Sequence, residues 1–128
     1  MDAHPELYVT VFSDYICPFC YIGDARLDRL RDEFDVRVNW CLVEIHPETP
    51  AAGCPVDELG YTAAHWRQMM QRLAAMAQEE GLMLAEHTFT VNSHKALLLA
   101  EAAKDRGRDT FYPLHIALFE AFMRDQRN

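Results

Sequence analysis

A chain of 128 residues that is 50% apolar and 25% charged has the composition of one compact domain rather than of a disordered segment. Its 12 basic and 20 acidic residues give a formal net charge of -8 with no Lys/Arg block, so nothing resembles the electrostatic footprint of a nucleic-acid binder. No apolar run reaches the roughly 18 residues of a membrane span. The opening Met-Asp-Ala-His-Pro-Glu does not read as a signal sequence, and four cysteines are too few to staple a scaffold. The expectation is a cytoplasmic protein with neither membrane nor nucleic acid as partner.

In chain order, Leu7 to Phe12 is short, β-branched and aromatic, and Ser13-Asp14 closes it, which predicts a buried strand. From Pro18 to about Glu33, Ile22, Leu27, Leu30 and Phe34 recur at helical spacing, with Pro18 in the first turn, where its missing N–H costs nothing. Val36 to Ile45 reads as a second strand, and the three elements make a βαβ unit. His46 to Gly60, with three prolines, is predicted to be a loop, after which the strand signal stops. Thr62 caps a helix with an apolar stripe of Trp66, Met69, Met70, Leu73 and Met76 ending at Gly81. Leu82 to Val91 is irregular or briefly extended. Asn92 or Ser93 opens a helix running to Gly107, and Asp109 opens the last, with Pro113 early enough to sacrifice no backbone hydrogen bond. The division predicted is residues 1–50 as the βαβ part and 51–128 as a helical domain.

Between the first strand and helix stands Cys17-Pro18-Phe19-Cys20. At a helix N-terminus, unpaired N–H groups and the macrodipole favour a thiolate, so Cys17 is the candidate nucleophile. Such placement lowers a thiol from about 8.5 to roughly 3.5–7. Cys20, one turn on, is placed to resolve a mixed disulfide. Other readings stay open: two buried thiols without redox work, or zinc held with Cys54 and His46. Cys41, in an apolar strand, reads as core, and Cys54, in a Pro/Gly loop, as an exposed thiol or an extra redox partner. Asp14 reads as a turn former that could also assist proton transfer. Trp40 and Met69, Met70, Met76 and Met83 read as core that could also form a groove for unfolded peptides. His94 and His115 read as packing residues, and Glu79-Glu80 as a solvated helix end.

The run Ser13-Asp14-Tyr15-Ile16-Cys17-Pro18-Phe19-Cys20-Tyr21-Ile22-Gly23, the stretch from Trp40 into Glu44-Ile45-His46-Pro47-Glu48, and the later Asn92-Ser93-His94-Lys95 and Phe111-Tyr112-Pro113-Leu114-His115 segments resemble the DsbA-like branch of the thioredoxin superfamily, most closely its FrnE-like subgroup. The resemblance implies an α/β fold: a thioredoxin-like βαβ unit with an inserted all-α helical domain. It implies thiol–disulfide oxidoreductase or disulfide isomerase activity, with Cys17 as nucleophile, Cys20 resolving, and Asp14, Pro18 and Phe19 in support. Protein or small-molecule thiols and disulfides are the implied partners. No metal or other cofactor is required beyond the redox-active disulfide, with glutathione as an optional one. The related 2-hydroxychromene-2-carboxylate isomerases and kappa-class glutathione transferases, small-molecule and glutathione binders, are the alternative. Those enzymes carry serine where Cys17 stands and lack the second cysteine.

The thioredoxin fold continues past the helices with two antiparallel strands and a helix, and a cis-proline loop beside the cysteines. That C-terminal ββα part is absent from this chain, since Pro113 lies in a helical pattern and the sequence stops at Asn128. The expectation is a fragment or shortened form, or a homo-oligomer in which another copy completes the sheet.

Overall fold

The structure is a computed structural model that describes residues 3–128; the first two residues of the N-terminal stretch lie outside the described residues. Strand β1 (Glu6–Ser13) pairs in parallel with β2 (Asp35–Leu42), Leu7 opposite Val36 and Ser13 opposite Leu42. Helix α1 (Pro18–Arg29) and a 3-10 turn at Leu30–Asp32 connect them. The predicted βαβ unit is therefore present, with β2 shorter than expected. Beyond Leu42 the chain turns off the ladder: Val43 N–H still reaches the Ser13 carbonyl, but Ile45 N–H donates to the Asp14 carboxylate instead.

The strand signal does not stop at the loop, as expected from the sequence. Cys54–Pro55 (β3) and Phe89–Thr90 (β4) form a short antiparallel bridge. Gly53 makes it possible: at φ +80 a Cβ would sit 2.3 Å from the Phe89 ring and 2.5 Å from the Thr90 carbonyl. Helix α2 (Ala63–Glu79) begins as predicted, with Thr62 Oγ1 accepting from His65 N–H at 3.1 Å. It is followed by Gly81 at φ +68.

Helix α3 (His94–Lys104) is capped by the Asn92 side chain, which accepts from His94 N–H at 2.9 Å, while Ser93 supplies its carbonyl to Leu97 N–H. Helix α4 (Arg108–Met123) is opened by Gly107 rather than by Asp109, because a glycine at φ +89 turns the chain two residues earlier. That shift moves Pro113 deeper into the helix. Proline has no N–H for the Asp109 carbonyl one turn back, so one ladder bond is lost, at an exposed position where water can replace it.

The main core joins both halves of the chain. Tyr15, Ile16, Tyr21 and Trp40 pack with Leu97, Ala100, Phe111, Phe119 and Met123 of α3 and α4. Burying each large side chain contributes about 1.5–3 kcal/mol. A second cluster, Ile22 with Leu73 and Ala77, fastens α1 to α2. Arg26 and Arg29 both reach Glu80, at 3.1 and 3.2 Å, and that carboxylate side chain is only 2% exposed. Glu80 is thus not the solvated helix end that the sequence suggested: two guanidinium groups compensate its burial. The opposite face of the sheet is open, with Tyr8 72% and Phe12 67% exposed.

Candidate active site

In a parallel pair, the loops leaving the C-terminal ends of the strands lie side by side, where α/β folds collect functional groups. Here they are the Ser13–Cys17 turn after β1 and the Val43–Glu48 segment after β2. Asp14, fully buried, ties the two together. One carboxylate oxygen accepts from Ile16 N–H at 3.4 Å, the other from Ile45 N–H at 3.0 Å. Its carbonyl accepts from Cys17 N–H at 3.2 Å. Asp14 acts here as a turn former and as a staple between the loops.

Cys17 occupies the N-cap of α1, its carbonyl accepting from Cys20 N–H at 3.0 Å and Tyr21 N–H at 3.2 Å. Pro18 follows at the first helical position. Both cysteines are half-buried free thiols. Cys20 is lowered to about 6, chiefly because the Cys17 thiol donates to it; the Asp14 backbone N–H and the Ser13 hydroxyl add to this against the opposing effect of burial. Cys17 is raised, first by that same hydrogen bond and then by burial, although the backbone N–H groups of Cys20 and Phe19 favour its thiolate. The sequence places the thiolate on Cys17; in the structure the two thiols titrate as one strongly coupled pair. The pair loses its first proton as a unit.

The two sulfurs face different spaces. Cys17 lines a pocket of about 690 Å³, counting the part open to solvent, between the start of α1 and the first half of α2. Trp66, Met69 and Met70 form one wall, Ile45 and His46 another, and Phe122 and Met123 close it with His87 and Phe89. Cys20 lines a separate cleft with Val11, Gly23, Asp24, Leu27 and Trp40. Phe19, 47% exposed, borders both. Of the residues read as a possible groove, Met69 and Met70 line the Cys17 pocket; Trp40 is buried against α4, and Met83 is 71% exposed.

Cys54 is not the exposed thiol that the sequence suggested. It is 8% exposed in the β3–β4 bridge, and burial followed by the nearby Glu58 carboxylate raises its thiol. Cys41 is half-exposed on β2, in the other sheet. Among the described residues no three His, Cys, Asp or Glu side chains converge as a metal-ligating group. His94 is exposed and pairs with Glu44 at 3.0 Å, so it is not a packing residue. His115 is one, fully buried between the Tyr15 hydroxyl at 2.8 Å and the Asp24 carboxylate at 2.9 Å.

Two residues of the site escaped the sequence reading. Ser13 closes β1 and so points at Cys20. His46 drew notice only as a conceivable zinc ligand, although its position just past a parallel strand was the signal that it shares a pocket with Cys17.

Among the described residues, no helix is long and apolar enough to cross a membrane. A family model described as a DSBA-like thioredoxin domain matches residues 8–128. The Bacillus subtilis (strain 168) protein YwbO is 26% identical over 126 residues, which cover 95% of this chain and 59% of YwbO. A solved structure described as a probable DsbA oxidoreductase of Streptomyces coelicolor superposes with a TM-score of 0.79 at 26% identity, over 94% of this chain and 56% of that one. The chain therefore spans less than two thirds of the length of either relative.

Proposed function

The chain belongs to the DSBA-like thioredoxin domain family, and from that premise we propose that it carries the dithiol of a thiol–disulfide oxidoreductase. In this reading Cys17 attacks or is attacked by the substrate sulfur and Cys20 resolves the mixed disulfide. The observation that carries it is the division of the two sulfurs: Cys17 lines the pocket where a substrate can enter, while Cys20, one turn on, lines a separate cleft. The pair loses its first proton as a unit, and the backbone N–H groups of Phe19 and Cys20 favour the thiolate at Cys17 that attacks. Pro18 and Phe19 shape the pocket mouth and Asp14 holds the loops. The disulfide isomerase activity and the FrnE-like subgroup are the finer part of the proposal, supported by the dispersed motifs around Trp40, Asn92 and Phe111. The partners are thiols and disulfides of proteins or small molecules, and no cofactor beyond the dithiol is required.

The test is reduction of insulin disulfides by dithiothreitol, with and without the chain and its Cys17→Ser and Cys20→Ser variants. The chain should accelerate the reaction and Cys17→Ser should abolish the acceleration; equal rates with and without Cys17 would remove the proposal. The apolar lining of the Cys17 pocket favours a second reading, a module that binds glutathione or an aromatic small molecule without disulfide turnover. Saturable glutathione binding that survives Cys20→Ser, together with an inactive insulin assay, would decide for it.

A further inference from the structure

His46 Nδ1 lies 3.1 Å from Glu48 Oε1, and the Glu48 side chain is 68% exposed. Its carboxyl is lowered, first by its own backbone N–H and then by His46, so it is an ionised, acceptor-only partner. The hydrogen between them must therefore come from Nδ1, which leaves Nε2 of the neutral ring as a bare acceptor. His46 lines the pocket that Cys17 lines, and the Asp14–Ile45 bond fixes the residue before it against the turn that carries Cys17. A nucleophile that shares a pocket with a ring whose other nitrogen is held by a carboxylate has the components of an oriented base. The other pocket histidine is committed elsewhere, its Nε2–H donating to the Phe122 carbonyl at 2.9 Å.

Building on the oxidoreductase reading, we propose that His46 is a catalytic residue that takes the proton from a substrate thiol at Cys17 and returns it in the reverse reaction, with Glu48 as its positioning residue. In the oxidising direction the Cys17–Cys20 disulfide is the oxidant. Nε2 removes the proton of the substrate S–H; the freed sulfur pair forms a bond to Cys17 Sγ. The Cys17–Cys20 bond breaks and its pair leaves on Cys20, which the Ser13 hydroxyl and the Asp14 backbone N–H stabilise as thiolate. The substrate sulfur is oxidised, Cys20 is reduced, and a second substrate thiol then releases the product disulfide from Cys17. In the opposite direction protonated His46 delivers its proton to the thiolate that departs from the pocket. The substrate class is a thiol on an apolar flank, because the pocket that Cys17 and His46 line is walled largely by Met, Trp and Phe side chains.

The experiment mixes the oxidised chain with 2-mercaptoethanol, an uncharged monothiol, and follows reduction of the Cys17–Cys20 disulfide across pH. The titratable groups around His46 are Glu48 on its own segment, Cys17, Tyr61 before α2 and His87 before β4. His46→Gln should slow the reaction near neutral pH by about a hundredfold, the low end for a positioned base. The deficit should vanish at alkaline pH, where the probe is already a thiolate, and added imidazole should restore part of the rate. Glu48→Gln should give a smaller loss of the same pH form. His94→Gln, an exposed histidine outside the pocket, should match the parent chain. A His46→Gln variant with the parent's pH–rate profile, in a chain whose disulfide forms and is reduced normally, overturns the role of His46 alone. A chain whose Cys17–Cys20 disulfide does not form in a glutathione redox buffer overturns the oxidoreductase reading and this proposal with it.

Discussion

Two histidine–carboxylate pairs flank the cysteine motif, and their surroundings assign them opposite work. On the Cys20 side, His115 is wholly buried against Trp40, Phe111 and Phe119, with ring centroids 4.4, 5.0 and 5.0 Å away. If the Asp24 carboxylate accepts from Nε2–H, Nδ1 must accept from the Tyr15 hydroxyl, and both ring nitrogens are consumed. Burial, followed by the Asp24 and Asp14 charges, raises the Tyr15 phenol, so it stays a donor. On the Cys17 side, His46 spends one nitrogen on Glu48, and the residue lines the Cys17 pocket. The same chemical pair is a brace when both nitrogens are engaged and a reagent when one is spare.

The largest effect that sharpens this contrast is on stability. His115→Ala should cost about 3 kcal/mol, since it leaves a cavity among aromatic rings and strands the buried Tyr15 hydroxyl. Chemical denaturation measures it, and a loss below about 1 kcal/mol would show that the buried pair is not a brace. Asp24→Asn, which keeps the shape but removes the charge opposite His115, should cost about 1–2 kcal/mol by the same measurement.

The sulfurs themselves give a pH signature in the reduced chain. Cys20 is lowered to about 6 and Cys17 is raised, whereas both titrate near their ordinary value of 9.0 when unfolded. Between about 6 and 9.0 the folded pair has released one proton that the unfolded chain still holds, so stability should rise with pH. Above 9.0 the unfolded chain loses both protons while folded Cys17 keeps its own, so stability should fall again. Denaturation midpoints of the reduced protein and of Cys20→Ser across this range are the check: the rising limb should be missing in the variant.

The smallest effects are expected on the pocket side. His46→Gln should alter folding stability by less than about 0.5 kcal/mol, whatever it does to exchange rates. Thr49, on the same loop, buries a hydroxyl for which no hydrogen-bond partner is found, so Thr49→Val should be neutral or stabilise by about 1 kcal/mol.

Local signals made much of this fold readable. A short β-branched and aromatic run marked β1, three- and four-residue spacing marked α1 and α2, and Thr62 and Gly81 bounded α2 as expected. The motif's place at the strand-to-helix turn was equally legible, because it depends on neighbours in sequence. What stayed hidden depends on distant partners. Two-residue strands such as β3 and β4 are too short to show a period, so the burial of Cys54 could not be foreseen. Glu80 looks solvated until Arg26 and Arg29 arrive from α1. How the dithiol titrates depends on Ser13, Asp14 and the coupling of the two thiols, not on the helix dipole alone.

The Arg26–Glu80–Arg29 cluster also bears on how large a guest the pocket admits. It joins the C-terminal ends of α1 and α2, whereas Cys17 and Trp66 stand at their N-terminal ends. The two helices thus form a jaw with a fastened joint and an unfastened mouth, and any widening must occur at the cysteine end. Salt screens the pair that exposed Arg29 makes with Glu80 more than the pair made by half-exposed Arg26, so ionic strength should loosen this joint before it disturbs the apolar clusters that hold the fold.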